Sequence, residues 1–302
     1  MTAVPQPTEP HSPDTVSCII PTHGRPDFLK ESVESVLSQS RPPIEVIVVS
    51  DDAEVRTREI VDSLAAESDV PIRYVDNSGG PGGASSSRNA GARVASGSLL
   101  AFLDDDDLWE TAYLEQSVAL LCSAGVDCVV SWLMMFRGEL RVPGLTMNEG
   151  LQAKEVAAIN PGFIGSNFVI KAEAFWKIGG FDDELRVIND GDFIYRYLQA
   201  GGTYRVNATY AVLQRKHSSG QLTAATEMRA AGLEAYVEKH RQTLSLADRR
   251  YMRLAINRIR YHAASSWPRK LGYLVAGALN SSPKSVAISI RGWKQRPVWR
   301  SN

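Results

Sequence analysis

Cysteine is scarce in this chain. The three present, Cys18, Cys122 and Cys128, are too few and too scattered for a disulfide framework or a zinc site. Cys18 and Cys128 sit in apolar runs that read as strands, so they are expected to be buried free thiols, which fits a reducing compartment. Net charge is equally small: 33 basic against 34 acidic residues leave -1, and no global basic field marks a nucleic-acid binder. Long hydrophobic runs are missing too. The longest late apolar stretch, residues 271–279, falls short of the roughly 20 residues that span a bilayer. Residues 1–14 are rich in Pro, Ser and Thr without the charged-then-apolar order of a signal peptide, and read as a disordered tail. No internal repeat stands out. A cytoplasmic globular protein is the expectation these absences leave.

What is present is ordinary in bulk and patterned in detail. With 302 residues, 44% apolar and 22% charged, the chain can bury a full-sized core. Residues 16–20 form an apolar run ending at Pro21, and Pro26 opens a helix with Leu29, Val33, Val36 and Leu37 at helical spacing. Residues 44–49 read as a second strand, 54–66 as a helix and 72–75 as a third strand. A glycine-rich loop at 77–83 leads into a helix through Ala95, and residues 99–103 form a fourth strand. This alternation predicts an α/β fold with a mostly parallel sheet flanked by helices, in which ligands sit beyond the carboxyl ends of the strands. Those ends are polar throughout: Thr22-His23-Gly24-Arg25, Asp51-Asp52, Asp76-Asn77 and Asp104-Asp105-Asp106-Asp107.

After Trp109 the pattern is mixed. It gives a helix at 111–123, a strand at 126–133, irregular chain to 165, a strand at 168–170 and a helix ending at Gly179-Gly180. Another helix starts near Asp190, and strands at 203–206 and 209–213 lead to Lys216-His217-Ser218-Ser219. From Thr226 the chain reads as helical, and no acidic residue follows Asp248.

Four successive aspartates raise one another's pKa, and a hard divalent cation relieves that repulsion. The competing reading is a solvated turn that caps a helix; the position at a strand's carboxyl end favours metal. Asp190-Gly191-Asp192 opens a helix, where an Asp is either an N-cap or a base that takes a proton from a hydroxyl. His217 is a surface histidine or, beside a metal and a diphosphate, a ligand. The 77–83 loop matches neither a Walker A loop nor the dinucleotide fingerprint, although its glycines can admit a phosphate close to the backbone.

In order along the chain these segments resemble the family 2 glycosyltransferases of the GT-A fold. The similarity lies in Pro21-Thr22-His23-Gly24-Arg25, Val48-Val49-Ser50-Asp51-Asp52, Ser87-Arg88-Asn89-Ala90-Gly91, Phe102-Leu103-Asp104-Asp105-Asp106-Asp107-Leu108-Trp109, Gly179-Gly180-Phe181-Asp182, Asn189-Asp190 and His217-Ser218-Ser219. It covers residues 15–223 and implies a catalytic domain at 15–225, with a donor half at 15–109 and an acceptor half at 110–225, then a helical segment at 226–302. The implied activity is inverting transfer of a sugar from a nucleotide-diphosphate donor (UDP, dTDP or GDP) to a hydroxyl-bearing acceptor, with Mn2+ or Mg2+. The resemblance implies that Pro21, Thr22, His23, Arg25, Asp51, Asp76, Arg88, Asp104 and Asp105 line the donor site. It implies Asp106, with His217, as metal ligand and Asp190 as catalytic base, with Trp109, Asn167 and Asp192 on the acceptor side.

Three departures matter. Ser50-Asp51-Asp52-Ala53 stands where Asp-Asp-Gly-Ser is usual, which leaves Asp51 or Asp52 to read the base. His23 replaces a tyrosine. Asn189 replaces a glutamate, which predicts a lower pKa for Asp190 than a Glu-Asp pair would give. A sugar-phosphate nucleotidyltransferase and an inactive carbohydrate-binding scaffold are the alternative classes. Acceptor choice is expected in residues 133–167 and the helical tail, with Trp132 and Trp176 as pocket candidates. Arg291, Trp293, Lys294, Arg296, Trp299 and Arg300 either rest on an anionic membrane or pack on the domain.

Overall fold

A computed structural model describes residues 14–217 and 226–294 of the protein. Serines 218 and 219, the first fourteen residues except Asp14, and residues 295–302 lie outside the described residues. The elements run β1 (Val16–Thr22), α1 (Pro26–Leu37), β2 (Glu45–Ser50), α2 (Val55–Glu67), β3 (Ile72–Asp76), α3 (Ala84–Val94), β4 (Leu99–Phe102), β5 (Leu108–Trp109), α4 (Tyr113–Ala124), β6 (Cys128–Arg137) and β7 (Leu140–Pro143). They continue with α5 (Ala153–Val156), β8 (Phe168–Lys171), α6 (Ala172–Lys177), α7 (Asn189–Gln199), β9 (Tyr204–Arg215), α8 (Glu227–Lys239), α9 (Leu246–Ala263), α10 (Trp267–Asn280) and α11 (Pro283–Lys294).

One sheet organises the molecule, in the order β3-β2-β1-β4-β8-β6-β9-β5, with β7 paired to β6. The first four strands in that order are parallel. Beyond them β8 runs antiparallel to β4 and to β6, and β9 runs parallel to β6. At its centre the sheet is buried on both faces, which is why β1, β2 and β4 read as apolar runs rather than alternating ones. Cys18, Ile20, Val46 and Val48 point to one side, against Leu29 and Val33 of α1 and Leu114 and Val118 of α4. Ile19, Ile47, Val49 and Phe102 point to the other, against Phe175, Phe181, Phe193 and Tyr236. Helices flank the sheet on both sides, and the C-terminal segment is helical. Cys18 and Cys128 are buried free thiols and Cys122 is exposed.

Two readings of the second half change. The irregular stretch before 165 contains the β6–β7 hairpin and the short α5. The two strands expected at 203–213 are one, β9, whose register against β6 shifts between Ser131 and Leu133.

Candidate active site

The carboxyl ends of β1, β2 and β4 converge, and the loop after β4 forms the centre. Asp105, 5% exposed, accepts hydrogen bonds from Thr22 Oγ1 at 2.8 Å, His23 N at 3.2 Å and Arg25 Nη1 at 3.3 Å. Asp106 Oδ2 accepts from Arg25 Nη1 at 2.7 Å and lies 2.8 Å from His217 Nε2. Asp107 points inward, with Oδ2 accepting from Ser166 Oγ at 2.7 Å and Oδ1 from Arg215 N at 2.9 Å. Arg215 also donates to the Asp106 carbonyl at 2.9 Å and lies between the rings of Phe28 and Phe136. The end of β9 is thereby fixed over the aspartates, and His217, two residues on, reaches Asp106 across 111 positions of chain.

The free carboxylates are electrostatically frustrated. Burial, then the Asp106 charge, pushes Asp105 up to about 7 despite Arg25, Thr22 and the His23 N–H. Burial together with Asp104 and Asp106 raises Asp107 well above the usual carboxylate range. A divalent cation would relieve this crowding, and Asp106 and His217 offer it one carboxylate and one imidazole, to be completed by diphosphate oxygens. Arg25 supplies the positive charge at Asp106 in the free protein.

Arg88 joins this centre to α7. Its side chain is 3% exposed, pairs through Nη2 with Asp104 Oδ1, and places Nη1 3.8 Å from Asp190 Oδ1. The guanidinium lies 5.0 Å from the Phe181 ring centroid. Its Nε and Nη1 have no hydrogen-bond partner among the described residues. Buried donors left open beside two carboxylates are unusual in a finished core and fit a ligand site. Gly165 leaves room for this arrangement, because a Cβ on it would collide with the Arg88 guanidinium.

Asp190 does not cap α7. The N-cap position is Ile188, in the left-handed region at φ 59, and no side-chain cap is formed. The Asp190 carboxylate accepts the Gly165 N–H, keeps 23% exposure, and has an Oδ1 with no hydrogen-bond partner among the described residues. Burial first, and Asp104 after it, outweigh Arg88 and lift its pKa to about 6. Asn189 brings no charge, but Asp104, distant along the chain, takes the place of a carboxylate neighbour.

On the side of β2, Asp51 and Asp52 separate. Asp51 accepts Gly83 N at 2.6 Å, at the amino end of α3, and meets His23 Nδ1 at 2.7 Å. The loop reaches it because Gly82 and Gly83 take φ values of 73 and 85, which suit glycine. Asp52 turns to its own chain, accepting from Ser50 Oγ at 2.7 Å and Glu54 N at 3.4 Å. His23, Asp51 and Asp52 form a compact group with ligand atoms within 4.8 Å of one another. The hydrogen bond to Asp51 raises the His23 pKa, and the ring's contacts with the two carboxylates account for the group.

Several expected contacts go elsewhere. Pro21 is buried inside β1 opposite Val49, just past the last β1–β4 partner, where a missing N–H is tolerated. Asp76 is exposed at the sheet edge, and its carboxylate accepts the N–H of Ser78, which lowers its pKa. Trp109 is 3% exposed and donates Nε1 to the Ser166 carbonyl. Asn167 is fully buried, spending its amide on Ser131 O, Gly162 O and Ile164 N. Asp192 is also fully buried, held by Arg196, Lys239 and His240. These last three, expected at the acceptor, are interior groups that hold the site's walls. Trp132 donates to Met147 O, and Trp176, 38% exposed, lies beneath Arg93.

Ser166, Gly165 and Arg215 shape the site but were not singled out from the sequence. Nothing in the local sequence marks any of the three.

Residues 17–179 match the family model described as Glycosyl transferase family 2. An uncharacterized glycosyltransferase of Haemophilus influenzae is 28% identical over 235 residues, covering 74% of this chain and 76% of the relative. The structure of S. aureus TarS 1-349 in complex with UDP-GlcNAc superposes with a TM-score of 0.64 at 16% identity, covering 87% of this chain and 79% of that one. The mannosyltransferase PcManGT from Pyrobaculum calidifontis, in complex with GDP-Man and Mn2+, gives 0.61 at 19% identity, covering 96% and 83%.

Proposed function

The chain belongs to glycosyl transferase family 2 and is a glycosyltransferase, and from that premise we propose that it transfers a sugar from a nucleoside-diphosphate donor to a hydroxyl-bearing acceptor by a metal-assisted, inverting displacement. The observation that carries this reading is the Arg88 bridge, which sets the Asp190 carboxylate beside the acidic centre at the strand ends. The bound UDP-GlcNAc and GDP-Man of the two structural neighbours support a nucleoside-diphosphate sugar as donor.

Asp51, at the amino end of α3, is the acceptor group for the nucleobase, and Thr22 and Arg25 order the loop around it through Asp105. Arg25 and Arg88 present positive charge toward the diphosphate, Arg88 with two donors still open. When bound at Asp106 and His217, Mn2+ or Mg2+ would stabilise charge on the leaving diphosphate. Asp190 takes the proton of the acceptor hydroxyl as that oxygen bonds to the anomeric carbon. The bond from that carbon to the diphosphate breaks, and its electron pair leaves with the nucleoside diphosphate. Attack opposite the leaving group inverts the anomeric configuration.

Calorimetric titration of UDP, dTDP and GDP, with and without Mn2+, into wild type and Asp106→Ala tests this. One nucleotide should bind, tighter with Mn2+, and the metal-dependent part should be lost in the variant. Binding that ignores both the metal and the substitution would overturn the metal's role. A product that retains the donor's anomeric configuration by NMR would overturn the displacement.

A further inference from the structure

Helix α10 turns its apolar stripe outward. Trp267, Leu271, Leu274, Val275 and Leu279 recur at i, i+4, i+7, i+8 and i+12, one side of a helix. All are exposed, from 47% at Leu271 to 78% at Leu279. The opposite side holds Gly277, the buried residue of the helix, and Lys270, whose Nζ stands over the Tyr261 ring of α9. Helix α11, which packs on α9, adds two further exposed apolar residues, Val286 and Ile290, at 44% and 51%. A helix of a water-soluble body buries such a stripe, and an open one this large marks an interaction surface.

Charge selects the occupant. Residues 249–302 contain 12 Lys and Arg and no Asp or Glu; set against -1 for the whole chain, that leaves -13 on residues 1–248. Arg253 and Arg258 of α9, Arg269 of α10 and Lys284 of α11 are exposed. An anionic lipid surface attracts the tail and repels the body, so it both binds and orients the molecule. A second copy would bring an equally basic segment to the same face and be repelled. The 14 residues of α10 extend about 21 Å, short of the roughly 30 Å of a hydrocarbon core. No described helix is long and apolar enough to cross a membrane. A basic helix with Trp and Leu on its apolar side lies in the plane of the interface instead.

We infer that α10 and α11 dock this enzyme on anionic membranes, with Trp267, Leu271, Leu274, Val275 and Leu279 set between headgroups and acyl chains. The docking does not depend on the donor chemistry, and its test reads binding alone. The full chain is co-sedimented with phosphatidylcholine vesicles with and without about 30% phosphatidylglycerol, at low salt and in about 0.5 M NaCl. The same is done for the double variant Leu274→Glu/Leu279→Glu, whose sites are exposed enough to leave the fold alone. The anionic vesicles should bind at least about tenfold more protein than the neutral ones, salt should weaken that binding, and the variant should lose about tenfold with unchanged circular dichroism and nucleotide binding. Equal binding to both vesicle types, or a variant that binds like wild type, overturns the inference. So does a sedimentation-velocity dimer that the double variant dissociates, since the stripe would then be a contact between copies.

Discussion

Replacing Asp190 by Asn should make the protein more stable and inactive in the same step. Burial and Asp104 raise this carboxyl from 3.8 to about 6 in the fold, against the pull of Arg88. At about 1.4 kcal/mol per pKa unit, holding it charged destabilises the native state by on the order of 3 kcal/mol. The sign follows from the direction of the shift. The folded protein binds this proton more tightly than the unfolded chain, so the stabilising contribution is whole below 3.8 and is lost as pH rises to about 6. Asparagine keeps the shape and stays neutral at every pH. The variant should therefore exceed wild type by about 1–3 kcal/mol near pH 8, the lower figure allowing for a weaker partner to Arg88. At about pH 5 the advantage should fall to roughly half. For a chain of this size the gain corresponds to roughly 2–6 °C in Tm, readable by circular dichroism melts across that pH range. Transfer should drop by about 10²-fold or more, with donor binding kept. A Tm at or below wild type near pH 8, or a gain of the same size at pH 5, would mean that the Asp190 charge does not destabilise the fold.

The same shift sets the pH profile: kcat/KM should rise with pH through an acid limb near 6, the value of the buried Asp190, and a limb below about 4.5 in the pH-rate curve would contradict it. Asp192→Ala should cost about 3–5 kcal/mol in urea unfolding, because it leaves the buried His240 without its carboxylate and Arg196, whose remaining partners are carbonyls, beside a buried gap. Asp192 is held at about 2 by His240, Arg196 and Lys239 against its burial, so its contribution is present above 3.8 and lost only as pH falls through 2. The deficit should accordingly be complete at neutral pH. Gly91→Ala would set a Cβ 2.5 Å from Ile19 Cγ2 and 3.0 Å from Val49 Cγ2, so α3 must move off the sheet; a loss of about 1–3 kcal/mol in denaturant melts is expected, and none would mean that the helix shifts freely.

β1, β2 and β4 were legible because each is short, buried on both faces and stopped by polar residues: Ile19-Ile20-Pro21 before Thr22, Val48-Val49 before Asp51, and Ala101-Phe102 before the aspartates. The stretch from 138 to 165 was not, because distant side chains rather than local periodicity satisfy its backbone. The Tyr204 hydroxyl accepts from Leu151 N and donates to Asn148 O, and Trp132 Nε1 donates to Met147 O. In β9 the polar Asn207 looked like a break between strands, but its side chain donates to Gln116 while the strand continues through a register shift. Within the site, local signals named the aspartates, Asp190 and His217, and the fold brings them together. Trp109, Asn167 and Asp192 stand beside motifs yet face inward, and no spacing rule tells a polar wall from a polar pocket. The Arg88 bridge joins residues 16 and 102 positions away in sequence, beyond the reach of any local pattern.

The start of α7 is costly in two ways. Ile188 is a β-branched residue at φ 59, a conformation worth on the order of 1–3 kcal/mol of strain, and two residues later Asp190 is buried as a charge. Strain of this kind persists only where the surroundings over-determine it. Here they do so through Asp192, whose Oδ1 meets Lys239 Nζ at 2.8 Å and His240 Nε2 at 2.7 Å, at the end of α8. Tyr236 of α8 is buried in the same core as Phe193, and its hydroxyl donates to the Ala157 carbonyl. The first turn of α7 is therefore clamped between the sheet, through Arg88, and a helix that begins after residue 226. Loosening that clamp should release the strain at Ile188 and let Asp190 swing toward water, where its pKa would fall and its reach to an acceptor would be lost. On this argument α8 contributes to the position of the base as directly as the strand ends do.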